Sequence, residues 1–599
     1  MSASPPSGED LGRLRAAYAE GRRRLLGECR PDAHWEGRLS SSALSTATAV
    51  SALTLVSRER HAALIAAGVR WLASHQNPDG GWGDTPDSPS NLPTTMLVQA
   101  ALRLSAVSGP QVGAAANRAE EHLRRAAGPE GPGRVAALRE AYGADRTFAV
   151  PILTNCALAA EAAAPASVRW NAVPSLPFEL ACLPRFLLRW LRLGVVSYAL
   201  PALIAIGQLV DRRRATRNPF LWLTRRLARG PSLRRLEAIQ PASGGFLEAV
   251  PLTSFVVMSL AALGGADSSE VCGRGVAFIL RAARPDGSWP IDLDLSCWLT
   301  SLSVAALRAG GGEPAPEPEA TAAWLLARQH TERHPYTGSP PGAWAWTGLP
   351  GGVPDADDTA GALLALAALR RDATPQAGLG VRWLLGLQNR DGGWPTFCRG
   401  WGRLPFDRSA PDLTAHAVRA ITAWPAAIDE GRQRRAVARG LDYLRGAQRP
   451  DGYWVPLWFG NQSAQGQENP VYGTSRVLAA YRDLGLAGVP EAVRGVEFLL
   501  EAQNADGSWG GDRGLPGTVE ETALAVEALA GLRGQAGVRD ACLRGALWLA
   551  GCVADGGLDE PAPIGLYFAR LWYSEMLYPI IWTVAALGRL LGPDGRGGA

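Results

Sequence analysis

The sequence predicts an all-α protein built as an α/α toroid, with paired helices set side by side around a central cavity. Three observations predict it. A unit recurs in which an amphipathic helix ends near Gln, turns through x-Asp-Gly-x-Trp and enters a more uniformly apolar helix; clear copies occupy residues 76–82 (QNPDGGW), 388–394 (QNRDGGW), 448–454 (QRPDGYW) and 503–509 (QNADGSW). Looser copies at 29–35, 240–246, 283–289 and 552–558 extend the repeat with a period of about fifty residues, which suits a helical hairpin. Few stretches alternate polar and apolar residues with a period of two, which disfavours a sheet.

The turns explain themselves residue by residue. Asp-Gly makes a tight reversal with one position tolerant of positive φ, and the Trp that follows offers a large ring expected to stack under a glutamine amide of a neighbouring turn. Such turns staple helix ends; their role is structural. The helices they lead into share a polar or acidic start before an Ala/Leu-rich run, as at 92–95 (LPTT), 357–360 (DDTA), 411–416 (PDLTAH) and 519–523 (VEETA). These are the expected inner helices, with their N-terminal ends toward one side of the cavity.

Composition narrows the function. The chain has 599 residues, 47% of them hydrophobic and 19% charged, enough for two ordered domains. A formal charge of +4 gives no argument for nucleic acid. No Lys occurs, which excludes a Walker-type phosphate loop and a Schiff-base lysine. The eight cysteines are scattered without CxxC spacing and read as buried thiols of a reducing compartment. Residues 1–10 are polar and lack the apolar core of a secretory signal, so the default location is cytosolic.

Residues 193–210 carry no charge and just reach bilayer-spanning length, but Ser197, Tyr198, Pro201 and Gln208 interrupt them, and an inner helix is the better reading. Residues 211–235 then combine nine arginines with the apolar run Phe220-Leu221-Trp222-Leu223. This suits either an element lying in lipid headgroups or a solvated basic loop.

The chemistry concentrates in Asp355-Ala356-Asp357-Asp358-Thr359, just ahead of an apolar helical run. Crowded carboxylates cannot all ionise cheaply, so one is expected to keep its proton near neutral pH and to serve as a general acid. The same string also reads as an ordinary helix cap, because Asp is favoured at helix starts.

The repeated turns together with this DxDD string resemble the squalene-hopene cyclase family of class II triterpene cyclases, from about Trp35 to Gly588. The resemblance implies two α-barrels, one inserted near the start of the other: residues 1–34 joining the C-terminal barrel, 35–298 as the inserted barrel and 299–599 carrying the acid. It implies that Asp357 protonates a terminal alkene, that Asp355 and Asp358 hold its hydrogen-bond setting, and that Asp412 and His416, in the DLTAH string, stand beside it, a charged imidazole making the acid stronger. Tyr472 resembles a family tyrosine in the route that returns the proton. Carbocations are sheltered by aromatic faces at roughly 0.5–2 kcal/mol each. Trp190, Trp298, Trp346, Phe397 and Trp458 match family cavity aromatics by local context, although each alone could be core packing, and Tyr567 is the candidate near the C-terminus where the family carries phenylalanines.

The resemblance further implies a linear polyprene substrate, squalene first, no cofactor or metal, and a peripheral, monotopic position on the cytoplasmic side of the cell membrane through residues 218–223. It leaves room for a homodimer, a state common in the family. Departures at 247–254, where an expected Gln is missing, and at 461–469 (NQSAQGQEN) leave chain length and product open. The alternatives are the same mechanism on a C35 polyprene or a C20 diphosphate, a prenyltransferase-like toroid with a zinc site, and a noncatalytic helical toroid that binds a partner.

Overall fold

The structure, a computed structural model, describes residues 7–129, 131–143, 146–162, 168–184, 199–264, 269–335, 337–369, 374–396, 405–425, 429–532, 535–566 and 570–592. Its helices form two rings. In one, Ser296–Ala309, Ala356–Leu369, Pro411–Thr422, Pro470–Asp483, Val519–Ala530 and Tyr578–Leu591 each pack on the next, and the last closes on the first. Outer helices pack behind them, and Gly8–Gly27 takes a place in that outer layer against Tyr578–Leu591 and Val538–Ala554. In the other ring, Ala43–Ser57, Leu92–Ser105, Arg146–Ala162, Leu200–Arg213 and Val250–Leu263 follow one another, with Val250–Leu263 against Ala43–Ser57. Residues 200–210 of the uncharged stretch are thus an inner helix, and among the described residues no helix is long and apolar enough to cross a membrane.

Residue type sorts the layers. Inner helices are buried on every side: twelve residues of Ala43–Ser57, from Ala43 to Thr54, are buried. Outer helices bury one stripe, as Glu430–Ala447 does through Gln433, Ala436, Gly440 and Leu444, the three-and-four spacing of an amphipathic helix.

The turns join the layers by four bonds per copy. The Gln388 amide donates to Gly392 O at 2.8 Å and to Ala436 O of the next outer helix at 2.9 Å. The Trp394 indole donates to Leu384 O at 2.8 Å, and its backbone N–H to Thr414 Oγ1 at 3.0 Å. The ring also meets an outer-helix glycine, where a Cβ on Gly440 would lie 3.0 Å from it. The turns at Trp82, Trp454 and Trp509 repeat the bonding.

A further copy escapes the sequence pattern: Gln329 donates to Gly342 O and Gln376 O, while Trp344 binds Thr359 Oγ1 and Leu325 O. Gln and Gly stand thirteen positions apart there instead of four, because an insertion splits the turn.

Two turns reach across the chain. Trp35 N–H donates to Thr300, 265 residues away, and Trp289 N–H to Thr46, 243 residues away. Thr300 belongs to an inner helix of one ring and Thr46 to an inner helix of the other. Trp298, the expected change-over, lies inside the Ser296–Ala309 helix, which packs in the ring carrying the acid string. The cysteines within the described residues are free thiols.

Candidate active site

Trp298, Asp357, Asp412 and Tyr472 share one repeat position. Each stands two residues before the threonine that clamps a turn, Thr300, Thr359, Thr414 and Thr474, in the first turn of successive inner helices. Glu520, two before Thr522, occupies the next place and was not singled out by motif; burial pushes it up to about 8.

The acid string divides its labour. Asp355 caps the Ala356–Leu369 helix, its Oδ1 accepting from Asp358 N–H at 2.7 Å, and both side chains are buried. Burial lifts Asp355 to about 8, with its hydrogen bonds to Asp358 opposing the rise and the Asp357 charge adding to it, and burial together with the Asp355 charge raises Asp358 well above its ordinary value. Two touching carboxyls in an apolar wall cannot both ionise, so this pair keeps a proton near neutral pH. The helix-cap reading holds for Asp355.

Asp357 has a different setting. Its carboxyl opens onto a cavity between the two barrels and its Oδ1 lies 2.5 Å from His416 Nδ1. Burial lowers the His416 imidazole from its ordinary value, more than Asp357 raises it. Asp412 accepts from Leu457 N–H at 3.3 Å, and burial with the Asp357 charge pushes it to about 7. Tyr472 is buried, its ring 4.6 Å from that of Phe459, and burial raises its phenol.

Aromatic faces line the cavity. Trp298, Trp346 and Trp458 are there, with Phe459, Tyr573 and Tyr578. Hydrogen bonds orient them: Trp298 Nε1 donates to Tyr578 Oη at 3.1 Å, Trp458 Nε1 to Thr396 Oγ1 at 2.7 Å and Trp346 Nε1 to Asp292 Oδ2 at 3.1 Å. Trp190, Phe397 and Tyr567 lie outside the described residues. Phe459, Tyr573, Tyr578 and Asp292 were missed by sequence reasoning; Phe459 adjoins Trp458, but Asp292 and the two tyrosines carry no motif. The departure at 247–254 is a strained bend, Leu247 at φ 59° and Glu248 at φ 53°, costing of order 1–3 kcal/mol each. Ser243 Oγ and Gly351 N–H hold it by donating to the buried Glu248 carboxyl at 2.6 and 2.7 Å, which brings Leu247 to the cavity wall.

A carboxyl facing an oily cavity can deliver a proton to carbon, and aromatic faces can shelter the resulting cation while offering no lone pair to quench it. Ionisation of the Asp355–Asp358 pair would set a further negative charge beside the carboxylate that transfer must create. The rate is therefore expected to fall as pH rises through about 8, by about tenfold between pH 7 and 9. A flat kcat profile across that window would contradict it.

The chain is similar to known proteins over most of its length. The profile of the squalene-hopene cyclase C-terminal domain matches residues 295–591, and that of the N-terminal domain residues 19–219. The chain is 26% identical over 662 residues to enfumafungin synthase of Hormonema carpetanum, covering 94% of this chain and 47% of that protein, so it spans about half the length of that relative. It is 26% identical over 652 residues to a probable squalene–hopene cyclase of Sinorhizobium fredii, covering 94% of each. In fold it is similar to ent-copalyl diphosphate synthase from Streptomyces platensis, with a TM-score of 0.62 and 22% identity over 98% of this chain and 99% of that one. The two profiles together cover most of the sequence, and the chain belongs to the squalene-hopene cyclase family of class II terpene cyclases.

Proposed function

We infer that this cyclase acts on an uncharged linear polyprene, squalene first among them, and converts it to a polycyclic triterpene. One observation carries the reading: Asp357, bonded to His416, opens onto an aromatic cavity whose described lining holds carboxyl groups and no cation. Such a wall accepts hydrocarbon and repels a diphosphate. In the proposed reaction the Asp357 O–H bond breaks and its proton adds to the terminal alkene. The tertiary cation is attacked by successive double bonds, and the last cation loses a proton or takes up water. Asp355 and Asp358 hold the backbone around the acid, His416 stabilises the carboxylate that remains, and Tyr472 and Asp412 belong to the shell through which the proton returns. Trp298, Trp346 and Trp458 shelter the cations.

The test is product analysis with purified protein in detergent, offering squalene, a C35 polyprene and geranylgeranyl diphosphate separately. Polycyclic products from squalene are expected. Turnover of the diphosphate alone would overturn the substrate, and turnover of none would overturn the reading.

An insoluble substrate calls for contact with lipid, and the Pro219–Ile239 helix supports it. Phe220, Leu223 and Leu227 are 82%, 50% and 68% exposed, on one face by their spacing, and Trp222 beside them carries Arg226 over its ring at 5.3 Å. The patch thus extends a turn beyond residues 218–223. Replacing Phe220 and Leu227 with Asp is expected to release the protein from anionic liposomes in flotation while leaving detergent activity within about twofold; unchanged flotation would remove this surface from consideration.

A further inference from the structure

Behind His416 lies a second chamber, separate from the substrate cavity. His416, Ser301, Arg419, Arg476, Glu527 and Arg589 line it. Asp357 lines only the first cavity and His416 only the second, so their 2.5 Å hydrogen bond is the link between them. With Nδ1 turned to Asp357, the ring's remaining polar atom, Nε2, diverges from that bond toward the chamber side.

The chamber's charges do not balance. Arg419 is 2.7 Å from Asp483, Arg482 bonds Asp483 and Glu527 at 2.9 Å, and Arg589 is 3.6 Å from Glu527. Three guanidinium groups thus engage two carboxylates. Arg476 makes no ion pair with a described residue, although it is held inside the barrel one helical turn beyond Tyr472. An interior cation with no ion pair among the described residues is costly to keep, and its retention here points to a use.

We propose that Arg476 is a positioning residue for proton transfer: its guanidinium faces Nε2 across the chamber, holds His416 in the neutral Nδ1–H tautomer and supplies the permanent positive charge that stabilises the carboxylate left on Asp357. Arg donates only, so an Nε2 beside it is best left as an acceptor, and the ring proton then sits on Nδ1, aimed at Asp357. The groups around the imidazole agree. Burial lowers it and Asp357 on the neighbouring helix raises it, while Arg476 and Arg419 lower it; Asp412 on its own helix, Tyr472, Glu527 and Arg589 complete the charged or titratable surroundings, and Trp298 meets it edge-on. Arg476 itself stays charged: burial opposes its charge, but Tyr472, Asp357, Glu527 and Asp412 favour it.

The proposal rests on Asp357 being the acid, and its test is separable from that assignment. Titration of ¹⁵N-histidine-labelled protein without substrate, with the His416 signal assigned by its loss in His416→Gln, should show an Nδ1–H tautomer in the parent and a higher titration midpoint in Arg476→Met. Turnover of whichever polyprene the parent cyclises should then depend on imidazolium in Arg476→Met. Imidazolium is present below the His416 pKa and lost above it, so kcat should fall about tenfold more at pH 7.5 than at pH 5.5, with KM little changed and with most activity restored in Arg476→Lys. An unchanged midpoint overturns the proposal, as does an equal loss at both pH values that Lys does not restore. If Arg476→Met melts far below the parent, Arg476→Gln and Arg476→Lys carry the comparison, and a midpoint unmoved by Gln overturns it equally. Turnover by Asp357→Asn would instead remove the acid assignment and leave the titration result standing.

Discussion

Replacing Asp357 with Asn is expected to abolish cyclisation, lowering kcat by about 10⁴-fold, the upper end of what a positioned acid contributes. Asn keeps the shape of the side chain and an oxygen that can accept from His416, whose Nδ1 lies 2.5 Å from the carboxyl it replaces. The cavity and the helix cap made by Asp355 are untouched, so the melting temperature should stay within a few degrees. What Asn lacks is a proton acidic enough for an alkene. His416→Ala should cost less, about 10²-fold, because the acid survives and only its partner is lost. Single-turnover product formation in the three proteins decides the matter, and activity of the Asn variant near the parent's would withdraw Asp357 as the donor.

Trp394→Ala is expected to lower stability by about 3–5 kcal/mol, roughly 10 °C in melting temperature. The ring is fully buried, its indole satisfies Leu384 O, and its backbone faces Ala410 across an isolated bridge. Truncation leaves a large cavity and strands a buried carbonyl, worth a further ~1–3 kcal/mol. The site should suffer too. Trp394 anchors the start of the Pro411–Thr422 helix through Thr414, and that helix carries both Asp412 and His416, so residual cyclase activity should fall even below the melting point. Gly440→Ala, whose Cβ would lie 2.7 Å from Val418 Cγ2 and 3.0 Å from the Trp394 ring, tests the same joint by overpacking. Thermal denaturation followed by circular dichroism reads both; a Trp394→Ala protein melting within 2 °C of the parent would mean, at about 2–4 °C per kcal/mol, that the joint contributes little.

Much of the site was legible because the repeat is local. A turn and the helix after it lie close in sequence, so Trp394 and Thr414, or Trp454 and Thr474, are visible as a spacing. Once the clamping threonine is recognised, the position two before it collects Trp298, Asp357, Asp412, Tyr472 and Glu520 without reference to any relative. Where the spacing breaks, legibility ends. The Gln329–Trp344 turn is hidden by its insertion, and Asp292, Tyr573 and Tyr578 reach the cavity from a loop, a hairpin and the last inner helix, placements that no periodicity encodes.

The sequence alone determined the class of the protein: helices paired by Asp-Gly-x-Trp turns, a ring of them, and an acid string set at a helix start opposite an imidazole. Only the tertiary structure decided how the rings close, since Trp35 meets Thr300 and Trp289 meets Thr46 across more than two hundred residues. It also decided which carboxyl does what. Asp355, Asp357 and Asp358 are alike as letters and all border the cavity, yet Asp355 caps the helix and is buried against Asp358 while Asp357 is bonded to His416. The physical reason is that burial sets a carboxyl's chemistry, and burial depends on what distant helices bring against it.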